Sequence, residues 1–244
     1  MNSEIAALKF EDAYLKVRKK ESRLYPDEIL PSLPVVPKTH LHFKEWLLRK
    51  KTYEKLRRHL QQKNKSLQIL DVGCGNGWMS NKMSEINQSI VTGVDLNRYE
   101  TEQAKRVFNN NQRLTFHAGD LLEEKLVHTE QLDTIVLAAS IQYFPDLNRL
   151  VRHLLGLLTP NGEIHIVDSP FYSEKNIEKA KEASCNYYKN LDCEEMIRFY
   201  HHHRWSEIKD FHFQIMNRTR KDNFLLKIFG IKRNFFPWVV IHQS

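Results

Sequence analysis

Cysteine is almost missing from this chain: Cys74, Cys185 and Cys193 are the only three among 244 residues. Three dispersed thiols make neither a metal-binding spacing nor a disulfide framework. A reducing, cytoplasmic setting is therefore expected. Long apolar runs are missing as well. The longest, around Ile135–Ile141 and Trp238–Ile241, suit buried strands and fall far short of a bilayer span. No membrane insertion is expected. Met1–Phe10 carries Glu4 and Lys9 and lacks the apolar core of a signal peptide. Internal repeats and low-complexity tracts are not seen. Glycine is scarce, eight residues in all, yet three of them stand at alternate positions, Gly73, Gly75 and Gly77.

What is present is basic charge. The net charge is +7, and the excess is uneven. Lys38–Lys65 holds Arg49, Lys50, Lys55, Arg57 and Arg58 among others, against Glu45 and Glu54. A second basic region runs from Arg218 to Arg233. Such surfaces attract anionic substrates, nucleic acids or membranes. The plainer reading is a solvated helix face.

The length suits one sizeable α/β domain with an extension. Met1–Lys20 has helical spacing, with Ile5, Leu8 and Leu15. Pro26, Pro31, Pro34 and Pro37 make Arg23–Lys38 a linker. Leu41–Gln62 is helical again, with Trp46, Leu47, Tyr53, Leu56 and Leu60 as its apolar stripe. From Ser66 onward apolar runs alternate with helical patterns. Strands are expected at Leu67–Val72, Ile90–Asp95, Leu114–His117, Leu132–Ala138, Gly162–Asp168, Phe211–Met216 and Pro237–His242. Helices are expected at Trp78–Asn87, Tyr99–Asn109, Leu121–Val127 and Leu147–Leu158, and a turn at Thr159–Gly162. Continuous apolar strands separated by helices indicate a doubly wound, mostly parallel sheet. The division is 1–62 as a helical extension and 63–244 as the α/β domain. Within the latter, 170–204 is expected to form a helical cap, with helices at Glu174–Lys189 and Cys193–Tyr200. A capping box of Asp192 and Glu195 would open the second. An excursion after a strand end lies on the face where such sheets bind ligands.

The stretch Ile69-Leu70-Asp71-Val72-Gly73-Cys74-Gly75-Asn76-Gly77 is the chemical centre of the sequence. Strand, glycine turn and helix form the nucleotide-binding half of a doubly wound fold. A dinucleotide fingerprint would place its third glycine where Trp78 stands. Asp71 is also a poor neighbour for a pyrophosphate. A cofactor without phosphate and with an ammonium end fits better.

Five landmarks in order resemble the class I S-adenosylmethionine-dependent methyltransferases: Leu70–Gly77, Gly93–Asn97, Gly119–Leu121, Leu132–Tyr143 and Leu158–Gly162. The resemblance implies a seven-stranded sheet whose last strand, Pro237–His242, runs antiparallel beside the sixth. It implies S-adenosylmethionine as methyl donor and S-adenosylhomocysteine as product. By the same resemblance Gly73, Cys74, Gly75 and Gly77 approach the methionyl end, and Asp71 attracts its ammonium. Asp95 accepts the ribose hydroxyls, since a carboxylate has two acceptor oxygens. Asp120 accepts the adenine amino group, with Leu96 and Leu121 against the ring. Ala139, Ser140 and Tyr143 lie beside the sulfonium, where an aromatic face suits a cation. The residue-level alternative for Asp95 and Asp120 is helix capping.

The acceptor is harder to read. The base-amino motif Asn/Asp-Pro-Pro-aromatic is missing after Ala138, no cysteine follows a proline, and the fourth strand ends without an acid, so no metal is expected. The remainder resembles the broad small-molecule group. Of His201-His202-His203, His202 and His203 are the candidate general bases, together with Tyr143 at the sulfonium. Two other functions compete with a small-molecule enzyme. One is an RNA or protein methyltransferase docking through the basic helix at 38–65. The other is a non-catalytic interaction subunit on a cofactor fold.

Overall fold

The computed structural model describes residues 3–123, 126–127, 131–216 and 236–243. The basic region expected at Arg218–Arg233 lies outside them. Helix α1 spans Ser3–Lys20 and α2 Phe43–Gln61. Between them the proline-containing connection holds one 3-10 turn, Leu30–Ser32. The alternating part follows as β1 (Gln68–Val72), α3 (Trp78–Ser84), β2 (Ile90–Asp95), α4 (Arg98–Val107), β3 (Leu114–Ala118), β4 (Leu132–Ala138), α5 (Leu147–Leu155) and β5 (Leu158–Val167). The chain then forms α6 (Ile177–Asn190), β6 (His212–Ile215) and β7 (Val239–His242).

The seven strands lie in the order β3-β2-β1-β4-β5-β7-β6. β1 pairs in parallel with both β2 and β4. β7 runs antiparallel to its two neighbours, β5 and β6. The order reverses between β1 and β4, and the crevice at their carboxyl ends is where such sheets bind ligands. Alternation along the strands divides the core. Leu70, Val72, Ile135 and Leu137 pack under α5 through Leu150, Val151 and Leu154. Ile69, Val136 and Val240 face the other way, under α2 and α3. Helix α2 buries Trp46, Tyr53, Leu56 and Leu60 there, each worth about 1.5–3 kcal/mol relative to exposure. The stripe read from its sequence thus packs on the sheet except for Leu47, which is exposed. Some basic side chains of the 38–65 region are held by carboxylates, Lys50 by Glu54, Lys63 by Glu163 and Lys65 by Asp133.

Several expected elements differ. The helix at Leu121–Val127 does not form among the described residues: 121–123 are turn and 126–127 irregular. The Asp120 carboxylate accepts the Leu122 amide at 2.9 Å, and such local side-chain bonds compete with helix. The turn at Thr159–Gly162 is absorbed into β5 as an irregularity, where the register shifts between Leu132 and Thr134. The capping box at Asp192 is not made. Cys193 caps a 3-10 helix, Glu194–Phe199, without a side-chain bond. Asp192 and Glu195 instead take Lys20 and Lys16 of α1, each at 2.9 Å. Long-range ion pairs have drawn both acids away from their local backbone.

Candidate active site

Gly73 and Gly77 have φ of +74°, a region that side chains disfavour. A Cβ on Gly73 would lie 2.4 Å from that of Ser140, so β1 and β4 meet closely there. A Cβ on Gly77 would collide with Phe116 at 2.7 Å. Four amides of the loop are already committed. Gly73 and Cys74 donate to the Val94 carbonyl, Gly77 to that of Cys74, and Gly75 to an oxygen of Asp95 at 2.7 Å. A loop whose amides point inward is not a phosphate cradle.

Above it lies a cavity of about 340 Å³, within the range of small-ligand sites. Asp71, Gly73, Cys74, Gly75, Asp95, Leu96, Asp120, Leu121, Ala139, Ser140 and Tyr143 line it. Gly77 does not line the cavity; its missing side chain lets the start of α3 pack on Ala104 and Phe116. The Cys74 side chain is buried with Leu30, Ala104, Phe108 and Phe116. Asp95 is not the cap of α4. Asn97 fills that role, accepting the Glu100 amide, while the second Asp95 oxygen accepts the Asn97 amide. Each Asp95 oxygen retains acceptor capacity.

Buried carboxyls dominate the electrostatics. Burial pushes Asp71 up to about 7, against one hydrogen bond from Ser80 at 2.6 Å. Burial also raises Glu100 to about 7, with Arg18 opposing. Asp95 is raised by burial against its two amide bonds. The Ser140 hydroxyl donates to the Val72 carbonyl at 2.7 Å, leaving it a structural tie between strand ends.

The N-terminal helices supply much of the remaining wall, and no sequence motif marks them as part of the site. Phe10, Tyr14 and Arg18 come from α1, Trp46 and Arg49 from α2, and Arg23 and Tyr25 from the connection. The spacing 10, 14, 18 puts one face of α1 over the cavity. That spacing was the available signal, but it names no packing partner. Tyr143 meets this face edge-on, with Phe10 at 5.5 Å and Tyr14 at 5.6 Å.

The 170–204 segment does not cover the cavity directly: none of its residues lines it. Its Tyr188, Cys193 and Met196 pack on Phe10, Ala13 and Val17, so α1 is held between segment and cavity. His202 and His203, expected as bases, line a separate cavity of about 710 Å³. His203 is buried, with Nδ1 2.9 Å from Glu207 and Nε2 2.9 Å from the Ile141 carbonyl. Nε2 of His202 faces the Ser184 hydroxyl at 2.9 Å. Both imidazoles are engaged in tying the segment down, and neither lines the cavity above the glycine loop.

One further cluster, His59, Glu163 and His165, brings its ligand atoms within 4.8 Å of one another. The Trp238 indole donates to Nδ1 of His165 at 3.1 Å. A neutral ring so held carries its proton on Nε2, the nitrogen facing Glu163. Lys63 occupies the other Glu163 oxygen at 2.9 Å. These donors fit an ion-pair network and do not fit a metal.

Residues 69–162 match the family described as a methyltransferase domain. This matched part of the chain is similar to methyltransferases. Its match spans the glycine loop, both acids Asp95 and Asp120, and the β4 end. The chain is similar to malonyl-[acyl-carrier protein] O-methyltransferase of Halalkalibacterium halodurans, 31% identical over 99 residues, 38% of this chain and 36% of the relative. It is also similar to a ubiquinone biosynthesis O-methyltransferase of Coxiella burnetii, 28% identical over 101 residues, 41% of this chain and 42% of the relative. The alignments thus span under half the length of these relatives. The fold is similar to that of magnesium protoporphyrin IX methyltransferase from Synechocystis PCC 6803 with bound S-adenosylhomocysteine, at TM-score 0.60 and 13% identity over the whole of both chains. Among the described residues, no helix is long and apolar enough to cross a membrane.

Proposed function

We propose that this protein binds S-adenosylmethionine in the cavity above Gly73–Gly75 and transfers its methyl group to a small-molecule acceptor. The observation that carries the reading is the convergence on one cavity of Asp71, Asp95, Asp120 and the Ala139–Tyr143 strand end, over a loop that offers no phosphate cradle. The methyl donor supplies an electrophilic carbon when bound. Asp95 would accept the ribose hydroxyls and Asp120 the adenine amino group, and an ionised Asp71 would attract the ammonium. Tyr14, Tyr143 and Phe10 exclude water and orient the acceptor, effects worth about 7–11 kcal/mol at best. The names of the relatives, a malonyl-[acyl-carrier protein] O-methyltransferase and a ubiquinone biosynthesis O-methyltransferase, support the broad small-molecule class. The lining of the cavity by Phe10, Tyr14 and Arg18 supports an acceptor held against the N-terminal helices.

The test is a melting curve with S-adenosylhomocysteine. At about a hundredfold excess over its dissociation constant the ligand stabilises by ~2.7 kcal/mol, roughly a 5–10 °C rise in Tm for a chain of this size. A flat response overturns the reading. Labelled methyl donor with fractionated small-molecule extracts then identifies the acceptor.

A further inference from the structure

Five side chains from the N-terminal part form a row of alternating charge: Arg18, Glu21, Arg23, Glu45 and Arg49. Arg23 grips Glu45 with two nitrogens, one at 2.7 Å, and its Nε lies 3.0 Å from Glu21. Glu21 also accepts the Tyr187 hydroxyl of α6. Arg49 donates from Nε to Glu45 at 3.2 Å and lies over the Trp46 ring. Arg18 reaches Glu21 only at 3.5 Å and lies over the Tyr14 ring. Three guanidiniums against two carboxylates leave this row one positive charge in excess. The two carboxylates are occupied by the central Arg23. The ends of the row, Arg18 and Arg49, both line the cavity.

The two ends differ in surroundings. Arg49 acts on Asp168, at the end of β5. Arg18 acts on Tyr14 and Tyr143, the rings beside the β4 end. Its guanidinium is a planar fork of five donors, suited to a carboxylate. Among the described residues Glu21 is its one salt-bridge partner. Glu100 and Asp95 also face it electrostatically and hold its charge on.

We propose that the methyl acceptor carries an anionic group, a carboxylate in the simplest case, and that Arg18 receives it while Tyr14 and Tyr143 flank the body of the molecule. The inference rests on the methyl-transfer reading and adds the substrate class. The guanidinium of Arg18 lines the cavity and is held by a salt bridge only at 3.5 Å, which leaves donors for an anionic group, and the aromatic walls match an apolar or aromatic body. The cofactor's own methionyl carboxylate is the other source of the same chemistry, so the experiment separates the two.

The test uses the full chain and Arg18→Met, with Arg18→Lys as a charge-retaining control. Titration calorimetry first measures S-adenosylhomocysteine and 5′-methylthioadenosine, which lacks the amino-acid end. S-adenosylhomocysteine affinity unchanged in Arg18→Met shows that the variant folds and that Arg18 does not hold the cofactor. A selective loss of S-adenosylhomocysteine, with 5′-methylthioadenosine unchanged, assigns Arg18 to the methionyl carboxylate and overturns the proposal. Benzoate, 4-hydroxybenzoate, phenylacetate and octanoate are then titrated into the S-adenosylhomocysteine-saturated protein, each beside its primary amide. The expected result is at least one acid binding roughly tenfold or more tightly than its amide, consistent with a charge-assisted pair. That preference disappears in Arg18→Met and is partly kept in Arg18→Lys. No acid preferred over its amide, or a preference that survives Arg18→Met, overturns the proposal while leaving methyl transfer standing. Failure of S-adenosylhomocysteine to bind the unmutated protein overturns the methyl-transfer reading itself.

Discussion

The Gly75 amide donates to the Asp95 carboxylate at 2.7 Å, so the end of β2 holds the glycine loop at the end of β1. The same carboxylate faces the cavity. One side chain therefore sets the loop and offers acceptors to a ligand. Asp95→Ala is expected to weaken S-adenosylhomocysteine by roughly 10–100-fold, the 1.5–3 kcal/mol of hydrogen bonds to a charged group. Calorimetry checks it. An affinity unchanged in the variant removes Asp95 from the ligand site.

Asp71 and Glu100 give the stability a pH signature. Burial raises them from 3.8 and 4.5 to about 7. On raising the pH, the unfolded chain ionises these acids first, while the folded chain still holds their protons. Without ligand, their contribution to stability therefore declines from about pH 4 to about pH 7 and is level above. Urea titrations across this window should show the decline reduced in Asp71→Asn. The ligand responds oppositely: ionised Asp71 attracts an ammonium, so S-adenosylhomocysteine affinity should rise from about pH 6 to pH 8. A rise of equal size in Asp71→Asn removes Asp71 as its source.

Gly73→Ala places a methyl group 2.4 Å from Ser140 Cβ at a φ of +74°. Overpacking and backbone strain together should destabilise by roughly 2–4 kcal/mol. Chemical denaturation reads this directly. A neutral effect means that β4 can retreat from β1 at no cost.

His203 holds the second cavity's wall through both ring nitrogens. His203→Ala leaves a buried carbonyl and part of Glu207 without a partner, a loss of about 2–4 kcal/mol. Calorimetry with S-adenosylhomocysteine should show affinity within about twofold of the parent, since the sites share no ligand contact. A strong loss of affinity at retained stability restores His203 to the active site.

Glu163 carries His59 and Lys63, each at 2.9 Å. Glu163→Gln should cost roughly 2–3 kcal/mol, less than a fully buried pair because both partners keep some solvent. Added zinc or a chelator should leave the parent's Tm unchanged. A zinc-dependent rise would mean that Nε2 of His165 can release its proton to a metal.

The sheet was readable because its evidence is local. Leu70, Val72, Ile135 and Leu137 lie in apolar runs, and Asp95 and Asp120 follow their runs at strand ends. The antiparallel β7 came from family resemblance, since periodicity carries no strand direction. The wall made by α1 was not readable. Phe10, Tyr14 and Arg18 share a helix face, but what that face meets depends on contacts more than a hundred residues away, with Tyr143 and Tyr188. The histidines misled for the same reason. Three in a row suggest chemistry, while Glu207, Ile141 and Ser184 decide what the rings do. Asp192 and Glu195 had the spacing of a cap, but Lys20 and Lys16 lie outside any local window.

β7 fills the space between β5 and β6, and its four residues, Val239–His242, are synthesised after every other strand. Until they emerge, Ile164 and Ile166 belong to a strand with one bare edge. Such an edge recruits other chains. The growing chain is therefore most vulnerable to aggregation before β7 emerges, when the strands around the cavity are in place but the sheet is still open. Substitutions in β7 should lower soluble yield out of proportion to their effect on the purified protein.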